Sequence, residues 1–377
     1  MTTDAAVDES RMFLNTSIDQ MEQVEHWLAI CPFLTLHGSS LRDAGSLSAR
    51  PLLPQVRKGL VAPASASLCD KGFFRCTREQ LEISTPCSLQ RLSSGAMQLM
   101  RHGYSPLFLL MFDEAWELSE SISTFVQAVT GLRPIGDYYV FCVEAALKNS
   151  RRSRHAFDNR YSPGPPHRDR PLAGMHSFSS RCLQNSTIPA LYPHYVSTWF
   201  ALSHADTDNS CLCFIERRLD PGYYLEGDAF EEHSIKLSSV VSQPLQAGGL
   251  LSFSHRVLHW GSKLETSVEE DGLPAPPAAV PRIALTTAFA DGSFEEPYFD
   301  HSVHSPTCPP LGLRLGLACG QQIQYAHMAG LGKHELALLN RVFRAQKGYF
   351  NVTYYDKICS SSQMQMFLHR QQGGKKE

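Results

Sequence analysis

The sequence predicts a mainly β core with flanking helices, of the double-sheet jelly-roll class. Two observations predict this fold. Between residues 137 and 290, short runs rich in aromatic and β-branched residues follow one another, as expected of strands. Clusters of turn-forming residues separate these runs, and no long helical pattern intervenes. Many short strands with turns between them are typical of a sandwich or barrel, and their number and length fit a jelly roll.

An N-terminal helical region that packs on the core is predicted for residues 1–134. A helix is expected near residues 17–30, and residues 70–131 show helical patterns. The clearest apolar stripe ends at Gly131, and glycine is common just beyond the end of a helix. We therefore expect this region to contribute packing and no catalytic group. The stripe comprises Leu118, Ile122, Phe125, Val126 and Val129.

The β core is predicted for residues 135–300, followed by a C-terminal helical extension at 301–377 that belongs to the same catalytic unit. An acidic, proline-rich insertion at 264–281 is expected to form a surface loop. The last seven residues, QQGGKKE, are expected to be a disordered tail. The predicted strands are 137–145, 195–202, 211–215, 249–259 and 282–290.

Composition narrows the class of protein. The apolar fraction of 43% is typical of a globular protein with a core. A formal charge of −3 lacks the strong basic footprint of a nucleic-acid-binding protein. There is no apolar run of roughly 18 residues that would span a membrane, and no sign of a leader peptide. The 11 cysteines form no CxxC pair and are odd in number, which indicates reduced thiols in a cytoplasmic protein.

The stretch PPHRDRP contains two metal-binding residue types, His167 and Asp169. Side chains at i and i+2 of an extended segment point to the same face, so both could reach one ion. A second histidine would complete a 2-His-1-carboxylate site, which leaves positions open on iron(II) for substrate and oxygen. A polar surface turn is the competing interpretation. The kinase catalytic loop also contains HRD, but it requires an Asn where this chain has Gly174.

The stretch LLSFSHRVLHWGS offers two candidates for the second histidine, His255 and His259. On a regular strand both side chains would lie on one face. We favour His259 because Gly261 and Ser262 follow it, as at a strand end that opens into a site. His255 lies within the predicted strand and is interpreted as a core histidine.

Arg282 begins the last predicted strand, directly after Pro281. An arginine at the rim of a barrel can bind a carboxylate through two parallel charged hydrogen bonds. The alternative is a surface arginine at the start of a strand. A basic run at 148–155 could likewise attract an anionic substrate, or could be a solvated loop between strands.

Taken in order, these elements resemble the phytanoyl-CoA dioxygenase family of iron(II)- and 2-oxoglutarate-dependent oxygenases. The HxD pair, a gap of 90 residues to His259 and an arginine on the following strand are similar to the family's order of motifs. The stretches HWGS and PRIALTTAF resemble its distal histidine and its oxoglutarate-binding strand. STWFALSHADTDNSCLCFI resembles its segment after the first ligands. The resemblance covers about residues 135–295.

The resemblance implies a double-stranded β-helix that binds iron(II) through His167, Asp169 and His259. It also implies an enzyme that consumes O2 and 2-oxoglutarate, releases succinate and CO2, and oxidises a C–H bond of a small-molecule substrate. Hydroxylation or desaturation is expected, because halogenating relatives replace the carboxylate ligand with a small residue and this chain has Asp169.

For the cosubstrate, the resemblance implies that Arg282 binds the distal carboxylate of 2-oxoglutarate and that Trp199 and Ser262 line its pocket. Two features depart from the family pattern. ERRLDPGYYLEGD stands where the family has a Pro-Gly-Ser-His turn, and the insertion at 264–281 lengthens the gap before Arg282. The alternative is a metal-binding protein on a cupin-like barrel that is non-catalytic or independent of 2-oxoglutarate.

Overall fold

The computed structural model describes residues 12–37, 58–81, 86–143, 166–170, 193–207, 209–224, 236–261, 281–299, 309–326 and 331–373. Helices occupy both ends of this part of the chain. They are α1 (Met12–Asn15), α2 (Ile18–Met21), α3 (Val24–Ile30), α4 (Lys58–Lys71), α5 (Arg78–Leu81), α6 (Pro86–Arg101), α7 (Asp113–Thr130), α8 (Leu311–Gln324), α9 (Lys333–Ala345) and α10 (Val352–Gly373).

The strands form two antiparallel sheets. The large sheet has the order β1-β6-β3-β8-β2 and the small sheet the order β5-β4-β7 when the strands are numbered along the chain. They are β1 (Phe73–Cys76), β2 (Arg133–Val143), β3 (Tyr195–Ala201), β4 (Leu212–Ile215), β5 (Val240–Gln243), β6 (Leu250–Ser254), β7 (His259–Gly261) and β8 (Arg282–Ala290).

Strand β3 is the centre of the large sheet and pairs with β6 on one side and β8 on the other. Trp199 lies opposite Leu251 of β6 and Thr286 of β8. Alternate residues of a strand share a face. On β8, Arg282 precedes Thr286 by an even number of residues, so it shares a face with Thr286 and with Trp199 opposite it. Ser197 lies two residues before Trp199 and is therefore on the same face.

The two sheets pack face to face around an apolar cluster. Phe214 of β4 is central to it, with its ring centroid 5.0 Å from that of Phe73 and 5.1 Å from that of Phe253. Trp199 and Ala284 of the large sheet belong to the same cluster. Removing these apolar side chains from water on both inner faces stabilises the pairing of the sheets.

The opposite face of the large sheet contributes to a larger apolar core that is shared with the helices. Helix α7 carries the predicted apolar stripe, and Gly131 follows it with a left-handed φ of 73°. Trp27 of α3 stacks on Phe108, with ring centroids 5.0 Å apart. Arg314 of α8 is fully buried, and its Nη1 lies 2.6 Å from Oδ1 of Asp113 at the start of α7. Helices from both ends of the chain thus pack with the sheet.

Strands β2, β3, β4 and β8 agree with the predicted strands to within a few residues. The predicted strand 249–259 is wrong as a single element, because β6 ends at Ser254 and β7 begins at His259. A turn in which Val257 N donates to Ser254 O over 3.0 Å separates them. The buried guanidinium of Arg256 stabilises this turn by donating to three carbonyl oxygens of other segments.

Three further expectations differ from the structure. The region 70–131 is not entirely helical, because Phe73–Cys76 pairs with β6. The helix expected near 17–30 is two helices, since Gln23 between them is extended, with φ −98° and ψ 134°. In the tail expected to be disordered, residues 371–373 end the last helix, because glutamine is a good helix former, and residues 374–377 lie outside the described residues.

The basic run at 148–155 lies outside the described residues, as does the insertion at 264–281 apart from Pro281. The domain boundaries after residues 134 and 300 remain a prediction. Within the described ranges, no helix combines the length and the apolar character needed to cross a membrane.

Candidate metal centre

Backbone pairing brings the two metal-binding stretches together. His167 and His259 form an isolated antiparallel bridge, in which each N–H donates to the carbonyl oxygen of the other over 3.0 Å. Two residues along, Asp169 N donates to His255 O over 3.1 Å. The described segment 166–170 therefore runs beside the start of β7 and presents its imidazole and its carboxylate towards the same point.

Three side chains converge at this bridge. His259 Nε2 is 3.5 Å from Asp169 Oδ1, and His167 Nε2 is 3.9 Å from the same oxygen. One ligand atom from each residue lies within 4.8 Å of the others. Two metal–ligand bonds of about 2 Å join atoms up to about 4 Å apart, so one ion can bind Asp169 and either imidazole as they stand, and all three side chains after an imidazole moves by less than about 1 Å. Among the described residues, no other group of His, Cys, Asp and Glu side chains meets in this way.

Hydrogen bonds on the far side of two ligands fix which atoms face the site. His259 Nδ1 lies 3.0 Å from Val257 O; a carbonyl only accepts, so Nδ1 carries the proton and Nε2 presents a lone pair. Ser197 Oγ donates to Asp169 Oδ2, which leaves Oδ1 facing both imidazoles. Such contacts set the tautomer and orientation of metal ligands. The triad is therefore arranged for binding in the protein alone.

The protonation states of His259 and Asp169 also suit metal binding. Burial lowers the pKa of His259 to about 4, so its imidazole is neutral at pH 7. Burial by itself raises the pKa of Asp169, but the adjacent His259 and His167 and the hydrogen bond from Ser197 outweigh it, and the net pKa is lowered. Neutral imidazole and carboxylate are the forms that bind metals. The side chain of His167 is 49% exposed, so one side of the triad is open to ligands.

Arg168, which lies between the two ligands in sequence, fixes the segment from its other face. It forms a bidentate ion pair with Asp220, with nitrogen–oxygen distances of 2.6 and 2.9 Å, and donates to Arg256 O. The side chains of Arg168 and Asp220 are 2% and 0% exposed, so water hardly screens the pair. Removing either partner would leave an uncompensated charge in the interior.

Arg170 joins the segment to a buried polar network. Its guanidinium lies 5.2 Å from the centre of the Tyr195 ring, and its Nη2 is 2.9 Å from Glu295 Oε2. The same nitrogen is 3.5 Å from Asp137, a buried carboxylate that accepts hydrogen bonds from three tyrosine hydroxyls. One of these tyrosines directly follows α8, so the network links the metal-binding segment to the C-terminal helices. The donors are Tyr195, Tyr298 and Tyr325, at 3.2, 3.2 and 2.7 Å.

Arg282, at the start of β8, is a buried cation on the inner face of the large sheet. Its guanidinium lies 5.7 Å from the centre of the Trp199 ring and donates to Ser210 O. Burial lowers its pKa to about 10, which still leaves it charged at pH 7. In the described part of the chain no carboxylate pairs with Arg282, and its Nε has no hydrogen-bond partner. A buried charge without a counter-ion is unfavourable, so this position suits an anionic ligand.

The predicted site residues that the structure describes fall into two groups: the metal triad, and the pair Trp199 and Arg282. Ser262 lies outside the described residues. His255, the other candidate ligand, does not join the triad, because the turn after β6 separates it from β7. Its Nδ1 donates to Tyr195 O over 3.0 Å, and its buried Nε2 has no partner among the described residues.

His255 makes stability depend on pH. Burial lowers its pKa to about 4, against about 6.5 in an unfolded chain. Between these values the unfolded chain binds a proton that the folded protein excludes, so stability falls as the pH drops from about 6.5 to about 4. We expect the free energy of unfolding of His255→Leu to fall less than that of the wild type over this pH range. Tyr195 O stays bonded in this variant, because the backbone N–H of residue 255 also donates to it over 3.2 Å.

Urea unfolding of the metal-free protein at several pH values measures this dependence. The free energy of unfolding of His255→Leu should change less between pH 6.5 and pH 4 than that of the wild type, although His259 keeps its own contribution. If the free energy of unfolding depends on pH equally in the two proteins, the lowered pKa of His255 does not contribute to that dependence.

Sequence reasoning missed the residues that orient the ligands: Ser197, Arg168 and Asp220. Ser197 carries a usable signal, since it precedes Trp199 by two residues on the same strand face. Asp220 has no such signal. It lies in a DPG stretch, which is typical of an ordinary turn, and its partner Arg168 is 52 residues away in the sequence.

No family model and no curated protein matches the chain. Similar solved structures include the epimerase SnoN in complex with Fe3+, alpha ketoglutarate and nogalamycin RO, at 16% identity and a TM-score of 0.41, covering 62% of this chain and 84% of SnoN. AviO1 from Streptomyces viridochromogenes Tue57 has 16% identity and a TM-score of 0.39, with 61% and 95% covered. The non-heme alpha ketoglutarate dependent carbocyclase SnoK has 12% identity and a TM-score of 0.41, with 63% and 87% covered.

Proposed function

We propose that the protein is a non-heme iron(II)- and 2-oxoglutarate-dependent dioxygenase that hydroxylates a C–H bond of a small molecule. One observation carries the proposal: a 2-His-1-carboxylate triad is linked, through neighbouring positions of one strand, to a buried guanidinium that has no carboxylate partner among the described residues. On β3, Ser197 bonds to the triad and Trp199 lies against Arg282. A metal site that bound no second anion would have no use for this cation.

The donor set favours iron(II). Two imidazole nitrogens and one carboxylate oxygen, without a thiolate, match the facial triad of non-heme iron oxygenases. Three protein ligands leave other positions of the ion for cosubstrates. His259 and Asp169 have the tautomer and the ionisation that such an ion requires.

The cation at Arg282 favours a cosubstrate with two anionic ends. A 2-oxoacid would bind the ion through its keto acid group, and a carboxylate at its far end would neutralise the guanidinium of Arg282 through charged hydrogen bonds. Among the described residues the Nε of Arg282 has no acceptor, so this donor is unsatisfied in the protein alone. The Trp199 ring lies beside the guanidinium, and both side chains are buried, so little water competes for the contact. 2-Oxoglutarate has both of these groups.

Bound together, iron(II), 2-oxoglutarate and O2 supply oxidative decarboxylation to succinate and CO2, coupled to oxidation of the substrate C–H bond. The residues of the chain contribute position and electrostatics. Ser197 keeps one oxygen of Asp169 occupied and the carboxylate ionised. Arg168 and Arg170 hold the backbone of the segment from its other face. The retained carboxylate at position 169 favours hydroxylation over halogenation.

The same proposal assigns the two facing sheets to a double-stranded β-helix, within an oxygenase core at 135–300. The antiparallel pairing of both sheets and the position of the triad beside β7 support this assignment. The helical regions at 1–134 and 301–377 complete one cytoplasmic catalytic unit. The substrate approaches the open side of the triad at His167, and the basic run at 148–155 favours an anionic small molecule.

Replacing Arg282 with Ala should weaken 2-oxoglutarate binding by roughly 100-fold. Hydrogen bonds to charged groups contribute about 1.5–3 kcal/mol each, and this variant removes them together. Iron(II) affinity should stay close to that of the wild type, because Arg282 is not a metal ligand. Anaerobic titration of the iron(II) protein with 2-oxoglutarate, followed by its weak visible absorption band, measures the dissociation constant.

Arg218→Ala is the matched control for this experiment, since Arg218 is exposed and pairs with Glu216 and Asp70 on the surface. It should bind 2-oxoglutarate like the wild type. If Arg282→Ala also binds 2-oxoglutarate like the wild type, the protein has a metal site that does not use 2-oxoglutarate. If the wild-type protein develops no band at all, a non-catalytic metal-binding protein is the better assignment.

A further inference from the structure

Ser210 has an unusual backbone conformation for its residue type. Its φ is +76°, in the left-handed region that favours glycine, and no other described residue except glycine has a positive φ. Neighbouring hydrogen bonds enforce it. Asp206 N donates to Asn209 Oδ1 and Asn209 N to Asp206 Oδ1, over 2.8 and 3.0 Å, and Cys211 N donates to Asp206 O over 2.6 Å. Conformations that are enforced by their surroundings in this way are common at ligand sites.

The hydroxyl of Ser210 is buried without a partner. The residue is 0% exposed, and in the described part of the chain its Oγ makes no hydrogen bond. A buried, unsatisfied hydroxyl is unfavourable. Glycine at this position would avoid both that penalty and the backbone strain. The serine therefore carries two unfavourable features in the protein alone, and a ligand that accepted its hydrogen bond would relieve one of them.

Ser210 is in direct contact with the buried cation at the start of β8. Its carbonyl accepts a hydrogen bond from Arg282 Nη1, while Arg282 Nε is unpaired among the described residues. The Trp199 ring lies against the same guanidinium. Within the described residues, an O–H and an N–H that lack acceptors thus belong to two residues in direct contact, beside a guanidinium that no carboxylate pairs with, and an oxyanion is the kind of acceptor that satisfies such donors.

We infer that Ser210 is a second donor, beside Arg282, to the distal carboxylate of the cosubstrate, and that the two residues select a 2-oxoacid with a carboxylate at each end. The inference rests on the proposed function, because it assigns a residue to the 2-oxoglutarate site. In this left-handed conformation the Ser210 carbonyl binds Arg282, while its hydroxyl makes no hydrogen bond within the described residues. A serine that only closed a turn would have no need of this hydroxyl.

The test compares two 2-oxoacids on the anaerobic, iron(II)-loaded protein. 2-Oxopentanoate has the same chain length as 2-oxoglutarate but lacks the distal carboxylate. We expect Ser210→Ala to weaken 2-oxoglutarate binding by roughly 10-fold or more, the effect of one hydrogen bond to a charged group. Binding of 2-oxopentanoate should stay the same. Isothermal titration calorimetry measures both dissociation constants.

A second variant tests whether misfolding, and not loss of the hydroxyl, weakens the binding of 2-oxoglutarate. Ser210→Gly also removes the hydroxyl but relieves the backbone strain, so it should lose the same selectivity while its melting temperature rises. Ser362→Ala is the matched control, because Ser362 in α10 is likewise fully buried with a hydroxyl that is unpaired in the described chain. This control should keep both affinities.

The outcomes separate the inference from the proposed function. If Ser210→Ala weakens both 2-oxoacids equally, or neither, Ser210 does not bind the distal carboxylate, and the dioxygenase assignment stands. If the wild-type protein does not prefer 2-oxoglutarate to 2-oxopentanoate, the cosubstrate assignment fails and the inference fails with it.

Discussion

Asp169→Ala is expected to abolish iron(II) binding and, with it, turnover. Asp169 supplies the anionic ligand of the triad, and its Oδ1 is the atom that faces both imidazoles, at 3.5 and 3.9 Å. Losing a residue that merely supports a metal ligand costs about 10- to 100-fold in affinity. Losing the ligand itself should cost more than that. Anaerobic titration of iron(II) in competition with a chelator measures the affinity.

Two further variants separate loss of the ligand from loss of the fold. Asp70→Ala removes a carboxylate that is 56% exposed and should bind iron(II) like the wild type. Ser197→Ala removes only the hydrogen bond to Asp169 Oδ2. The iron(II) affinity of this variant should lie between those of Asp70→Ala and Asp169→Ala, about 10- to 100-fold below that of the wild type. If Asp169→Ala binds iron(II) as tightly as Asp70→Ala does, Asp169 is not a ligand.

Asp220→Ala should have the largest effect on stability, lowering the free energy of unfolding by about 3–5 kcal/mol. The carboxylate accepts two hydrogen bonds from Arg168, at 2.6 and 2.9 Å, and one from Gly222 N at 2.9 Å. Without it the guanidinium of Arg168 stays in the interior as an uncompensated charge. Because Arg168 lies between the proposed metal ligands His167 and Asp169, iron(II) affinity should also fall, by about 10- to 100-fold. Urea unfolding of the metal-free protein and chelator competition measure the two effects.

A double variant shows whether the unpaired charge causes the loss of stability. Arg168→Met together with Asp220→Leu replaces the buried pair with apolar side chains and should recover most of the stability, because a buried ion pair often contributes little when both charges are removed. A loss below about 1 kcal/mol in Asp220→Ala, as for an exposed pair, would contradict the account of this contact.

Strands β3 and β8 could be located from the sequence because nearly every residue in them is buried, and their composition reflects it. Strand β1 could not, because four residues carry too little pattern and the strand depends on its pairing with β6. The end of β6 at Ser254 gives no local signal either. It depends on Arg256, whose guanidinium reaches carbonyl oxygens of segments that are distant in sequence.

The residues of the metal triad could be proposed from the sequence, because imidazole and carboxylate side chains carry their chemistry in their residue type. The orientation of the triad could not. Ser197 decides which oxygen of Asp169 faces the imidazoles, and it lies 28 positions along the chain. Ser210 looks like any serine in a polar turn, and it is distinguished by its positive φ and by a hydroxyl that has no partner among the described residues. Such contacts exist only in the folded protein.

An anaerobic crystal structure of the iron(II)-loaded protein, with anomalous data at the iron edge, tests the central claim most directly. We predict one anomalous peak about 2 Å from His167 Nε2, His259 Nε2 and Asp169 Oδ1. A peak bound by other residues, or an ion from which any of these three side chains is turned away, would contradict the metal centre and the enzyme proposed from it.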